Sequence, residues 1–397
     1  MKEKPIGIST TDSLIFEPSI PPFLFDIAEK FLTTGKKDHG SLANYFSKCK
    51  KISQDTRAGL RTLQFLQDTL NFKNFQKSLP LVDQEKIFQP ERCFLKSNPA
   101  TKELILPWVK DMLAKGSGIL GKNNLVEVIE SAKNGEKILG LGRHLELAGI
   151  LFLRLIFEEL NSADFFNEKT IFFTGQKLST ETIIPTELLK KMTHADKNIF
   201  LYKYLKNHFP KFATDENERS LLPTLMRTVN EFRYFTKRDN IDRSTNVQYL
   251  KSLINYIKEK KPWENYNLSI LYPMAGCERD RGPEEVDENF INMIFRGTPL
   301  TPKIDKIFLF NEGGQLAAHG KNRGDNILDV KPQITKKRMS FGKLMSSEEL
   351  LGYLCEQKLI SDENKTDFIN SKYKDQNLTK EIAIAVEKAI RGLPLEL

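Results

Sequence analysis

Long apolar runs are missing from this chain of 397 residues. A helix that crosses a bilayer needs about 18 or more consecutive apolar residues, and no such stretch occurs. The nearest candidate, Ala148 to Phe157, is interrupted by Arg154 and reads as a buried helix instead. The opening Met1-Lys-Glu-Lys-Pro leads into polar residues rather than an apolar signal core, so no export signal is expected. Cysteine is scarce. Cys49, Cys93, Cys277 and Cys355 are far apart and none has CxxC spacing, which argues against a disulfide framework and against a zinc site. The expectation is a reducing, cytoplasmic setting. No GxSxG elbow occurs, which removes the commonest serine-hydrolase signature. Internal repeats and low-complexity tracts are also lacking.

What remains has the balance of a globular protein, with 40% hydrophobic and 28% charged residues. Phenylalanine is abundant at 27, enough for a sizeable core with apolar grooves. The net charge of +8 favours acidic partners: an anionic membrane surface, a phosphorylated ligand or an acidic carrier protein. That charge is spread along the chain and accompanies no nucleic-acid-binding motif, so nucleic acid is set aside.

The length suits two domains. From Pro21 to about Pro80, apolar residues such as Leu60, Leu63, Leu66 and Leu70 recur at helical spacing, which predicts a helical bundle over residues 1–82. Beyond it, short β-like runs alternate with helical ones. The runs are Ile138 to Leu141, Thr170 to Thr174, Asn198 to Tyr202, Leu268 to Tyr272 and Lys306 to Phe310. Helical patterns cover Leu145–Asn161, Glu216–Arg233 and Val247–Lys260, and helix returns from Ser346 to Arg391 with caps at Ser346 and Ser361. Residues 83–397 are therefore expected to form an α/β domain with a mixed or parallel sheet.

Two glycine patterns invite a nucleotide and do not sustain one. Gly116-Ser-Gly-Ile-Leu-Gly121-Lys122 nearly matches a phosphate loop, but Asn123 replaces the magnesium-binding hydroxyl. The preceding residues read as a helix, so its end followed by a loop is expected here. Gly140-Leu-Gly142 opens a GxGxxG whose third position is Leu145. His144, at a strand-to-helix turn, is either a satisfied turn histidine or a base placed near backbone N–H groups and a positive helix end.

The segment Asn134-Gly-Glu-Lys-Ile-Leu-Gly-Leu-Gly-Arg-His-Leu-Glu-Leu-Ala resembles the catalytic block of soluble, plant-type glycerol-3-phosphate acyltransferases, a strand followed by Asn-His-x4-Asp. A second block, Leu268 to Pro283, resembles that family's strand followed by Pro-Ser-Gly-Gly-Arg-Asp-Arg-Pro, with Pro273, Gly276, Arg279, Asp280 and Arg281 in place around one inserted residue. Taken alone, that block could also be a solvated charged loop. A third, Asn198 to His208, resembles the strand ending in Ser-Lys-Lys-His and offers Lys206 and His208, with Lys203 in reserve; an ordinary basic loop fits it equally well.

The resemblance runs in order from about Asn98 to Phe310. It implies an acyltransferase-like α/β domain in which His144 takes a hydroxyl proton. Arg279, Arg281, Lys206, His208 and Lys203 would bind the substrate phosphate. The aspartate that steadies the histidine is replaced here by Gly149, and Glu146 is the acidic residue left in the block. The implied partners are an acyl donor (acyl-carrier protein or acyl-coenzyme A, as co-substrate), a phosphorylated small molecule and peripheral membrane contact. No metal and no other cofactor is expected. Two classes of function follow. One is transfer of a fatty acyl group to a phosphorylated alcohol such as glycerol 3-phosphate, impaired by the lost aspartate. The other is an inactive relative that binds phosphorylated ligand, lipid or a partner protein, such as a bacterial factor delivered into a host cell.

Overall fold

The apolar run after Lys137 becomes strand β3 (Ile138–Gly142), buried at every position. A strand with both faces covered reads as a continuous apolar run rather than an alternation, which is why it stands out in the sequence. The structure is a computed structural model that describes residues 12–16, 106–145, 148–172, 251, 255–256, 258–260, 262–274, 282–297, 303–314, 317–318, 331–332 and 335–396. Apart from Ser13–Phe16, the bundle expected over residues 1–82 lies outside the described residues, as do the runs at Asn198 to Tyr202 and Glu216–Arg233.

The domain is α/β, with a seven-stranded mixed sheet in the order β1-β2-β9-β6-β3-β5-β4. The remaining members are β1 (Ser13–Phe16), β2 (Ser117–Leu120), β4 (Thr170–Phe172), β5 (Leu268–Leu271), β6 (Lys306–Gly313) and β9 (Arg338–Phe341). A separate antiparallel pair joins β7 (Ala317–Ala318) to β8 (Lys331–Pro332). Strand β3 runs parallel to both β5 and β6, and β4 parallel to β5. Strand β9 is antiparallel to β6 and parallel to β2, and β1 closes that side antiparallel to β2.

Helices cover both faces. Leu139, Leu141, Ile171, Ile307 and Leu309 pack with apolar residues of α5 (Asn289–Phe295), α6 (Ser347–Glu356), α7 (Asp362–Asn370) and α8 (Gln376–Gly392) in one core. Alternation puts Gly140, Gly142, Phe308, Phe310 and Glu312 on the other face. There Phe310 lies 5.8 Å from Phe308 and 6.0 Å from Phe341, centroid to centroid. α3 (Ala148–Glu159) covers that side, with Phe152 lying 5.3 Å from Phe16 of β1. α1 (Leu106–Asp111) and α4 (Ala163–Lys169) pack against α3. Each fully buried phenylalanine contributes roughly 2–3 kcal/mol.

The structure assigns both glycine patterns to packing. A Cβ on Gly140 or Gly142 would fall 2.5 Å and 2.0 Å from the rings of Phe308 and Phe310, so these glycines make room for phenylalanines. The Gly116 to Asn123 segment is not a helix end followed by a loop, as its glycines suggest. Ser117–Leu120 is strand β2, and α2 (Lys122–Lys133) follows directly after Gly121. Gly121 has φ 73 and stands where a Cβ would meet the Phe341 carbonyl oxygen at 2.2 Å, so only glycine fits. A protein carboxylate already occupies the start of α2: Asn123 N–H donates to Asp12 at 2.8 Å and 3.0 Å. The Asp12 carbonyl accepts from Gly121 N at 3.0 Å. At the other end of the domain the expected caps are present. Ser346 and Glu349 form a reciprocal capping box, and Ser361 accepts from Asn364 N at 3.0 Å.

Because Asp12 caps α2 from more than a hundred residues away, Asp12→Ala should cost about 1 kcal/mol. Urea unfolding of the two proteins tests this, and coincident midpoints would remove Asp12 from the account.

Candidate functional site at the end of the central strands

Three parallel strands end side by side, and the candidate site stands at their carboxyl ends. Leu141 of β3 pairs with Leu271 of β5, and Gly142 pairs with Phe310 of β6. Two residues beyond the latter pair are His144, past the end of β3, and Glu312, still within β6. Open α/β sheets bind ligands at such strand ends.

His144 is 8% exposed, and its ring lies 4.4 Å from that of Tyr272, stacked at 27°. Tyr272 follows the last residue of β5, and its ring meets Phe310 edge-on at 6.0 Å. Burial first, and the Lys337 ammonium second, lower the His144 imidazole from 6.5 to about 4, so the ring is neutral at ordinary pH. A neutral imidazole has one N–H donor and one acceptor nitrogen, as a proton-accepting base needs.

The charge that bears on His144 is Lys337. Arg143 instead bears on Glu387 of α8, opposing the burial that raises that carboxyl, together with Arg391, whose Nε donates to Glu387 at 2.7 Å.

Lys337 is fully buried, as is Glu312, and Nζ lies 3.2 Å from Glu312 Oε2. Lys337 also donates to the Gly314 carbonyl at 2.9 Å. The other Glu312 oxygen accepts from Leu145 N–H, the backbone amide immediately after His144. Glu312 therefore holds the turn on which the imidazole stands.

Gly149 is the second residue of α3. From the sequence it marks a lost carboxylate. A Cβ built there would lie 2.2 Å from Glu312 Oε2, so the Glu312 carboxylate fills the space a side chain at 149 would occupy. The start of a helix also favours a negative charge.

The other expected site residues, Glu146, Lys203, Lys206, His208, Arg279 and Arg281, lie outside the described residues. The flanks of the arginine segment are described. It departs from Met274, just past β5, and the chain returns at Gly282; Asp287 N–H donates to the Pro273 carbonyl at 3.2 Å. Met274, the last described residue before that segment, comes two residues after Tyr272, whose ring stacks on His144.

Among the described residues, no three histidine, cysteine or acidic side chains are grouped to hold a metal ion, and no helix is long and apolar enough to cross a membrane. Compared with known proteins, the chain matches no family model and no curated sequence.

Two expectations follow. The unfolded chain binds a proton at His144 below 6.5 while the folded chain resists until about 4. Stability is therefore unaffected by this group above pH 6.5 and falls as pH drops from 6.5 to 4, by about 3 kcal/mol in all. His144→Gln should flatten that part of the stability–pH curve, and identical slopes in the two proteins would contradict the assignment. Second, Gly→Ala in a helix ordinarily stabilises by up to about 1 kcal/mol. Gly149→Ala should instead destabilise by about 1–3 kcal/mol through overpacking against Glu312. A melting temperature at or above wild type would show that the carboxylate moves aside freely.

Proposed function

We propose that this chain is an acyltransferase-like protein. On this reading it binds a phosphorylated alcohol, such as glycerol 3-phosphate, at the carboxyl ends of β3 and β5. It transfers to that alcohol, slowly, a fatty acyl group from an acyl-carrier-protein or coenzyme A thioester. The observation that supports this best is the placement of a buried, neutral His144 beside the strand end from which the Arg279–Arg281 segment departs. In this reading the arginines draw in the phosphate through paired, charge-assisted hydrogen bonds. His144 accepts the hydroxyl proton as the alcohol oxygen attacks the thioester carbonyl, and the thiolate leaves and is reprotonated. Slow turnover follows from two features. An imidazole with an affinity near pH 4 is a weak base at neutral pH. Position 149 has no side chain to orient the ring, and in a comparable triad such a loss costs about 10⁴-fold.

A second reading keeps the pocket and drops the chemistry: the protein binds phosphorylated ligand, lipid or a partner without acylating it. The packing of Glu312 against Gly149 favours it, because the carboxylate there already serves Lys337 and the Leu145 amide.

The full chain should be incubated with labelled glycerol 3-phosphate and each acyl donor, alongside His144→Gln and Arg279→Ala/Arg281→Ala. The expected result is weak acylation that both variants abolish, with phosphate raising the melting temperature of the wild type but not of the arginine variant. Phosphate stabilisation without turnover would leave the binding reading alone. Absence of both would reject the two readings together.

A further inference from the structure

Glu312 and Lys337 are unexpected from the sequence and are not explained by the fold alone. Burying both charges costs several kcal/mol per ion before their attraction is counted, and an apolar pair of similar size often serves a core as well. Their placement suggests another role. Glu312 and His144 each lie two residues beyond the paired Phe310 and Gly142. One of its oxygens accepts from Leu145 N–H, and the other meets Lys337 Nζ at 3.2 Å. Lys337 is fixed by that contact and by the Gly314 carbonyl at 2.9 Å, fully buried, with no freedom to swing towards solvent.

We propose that Glu312 is a positioning residue for His144, holding the turn that carries the imidazole, and that Lys337 holds the Glu312 carboxylate in place. The inference rests on the reading in which His144 is the reacting group. Among the described residues, the titratable groups around His144 are Tyr272 from the end of β5, Glu312 from β6 and Lys337 ahead of β9, with Arg143 preceding it on its own turn. Arg154 lies further along α3, and Glu387 and Arg391 belong to α8, on the sheet's other face. Lys337 is the charge that adds to the effect of burial on the ring. Glu312 prevents that ammonium from standing unpaired in the core.

The test uses the full chain labelled at histidine, with His144 assigned among the five histidines by the His144→Gln variant. Two paired variants separate the roles, and both remove the charges together so that neither is left buried alone. In Glu312→Gln/Lys337→Met the amide oxygen can still accept from Leu145. Exchange of the Leu145 amide should therefore stay slow. In Glu312→Leu/Lys337→Met, with the same charges removed, the Leu145 amide should exchange faster by about tenfold, reflecting one lost hydrogen bond, and the His144 titration midpoint should rise above that of the Gln/Met variant as the freed turn admits water to the ring. Unchanged Leu145 exchange in the Leu/Met variant, or a His144 midpoint equal in the two folded variants, overturns the proposal. Neither readout requires turnover, so an enzyme found inert in the acylation assay would leave this result standing, and the reverse holds equally.

Discussion

The buried Glu312–Lys337 pair ties together several separate parts of this domain. It joins the end of β6 to the residue before β9, where the sheet changes from parallel to antiparallel pairing. It fixes Gly314, whose carbonyl accepts a hydrogen bond from the lysine and whose φ is 78. It also requires a glycine at 149, since the carboxylate lies where a side chain would be. An ion pair out of water is an expensive way to close a sheet. Three favourable terms offset that cost here: the mutual attraction, the Leu145 amide and the positive start of α3.

The sequence made much of the frame legible. Strands β3, β5 and β6 are apolar runs because both of their faces are covered, and the C-terminal helices announce themselves through Ser346, Glu349 and Ser361. His144 was placed correctly at the strand-to-helix turn because periodicity changes there. Strand β2 was harder to read: four residues including Gly118, preceded by a short helix, give no period to detect. Glu312 and Lys337 were missed because charged residues ordinarily mark solvent. A usable signal existed. Glu312 follows Phe308 and Phe310 on one parity, while Ile307 and Leu309 lead the other, so both faces of the strand read as covered.

The two faces of the sheet divide the work. One holds the large apolar core with α5 to α8, where Asn311 reaches across to the Arg391 and Leu393 carbonyls at 3.3 Å and 3.0 Å and fastens the end of α8 to β6. The other face carries phenylalanines along the strands and charge only at the strand ends. Alternation along β6 therefore links a structural anchor at 311 to a polar group at 312, so a register slip of one residue would turn Asn311 away from α8 and Glu312 towards it.

A neutral, buried imidazole next to a fixed ammonium is poorly suited to chemistry by itself. On the proposed reading, a bound phosphate would change that balance. An opposite charge within about 4–6 Å favours the protonated ring, so a dianion drawn in by the arginine segment would offset Lys337 and raise the proton affinity of His144 towards working pH. Brønsted behaviour makes a base more effective as its affinity approaches that pH. The same site would then be a weak base alone and a better one with its substrate bound, which ties reactivity to phosphate recognition. An acyl group would thus be held back from water and delivered only when a phosphorylated acceptor is present. On this argument the depressed affinity of His144 is consistent with a substrate-gated site, and the absence of a side chain at position 149 does not by itself mark the site as inert.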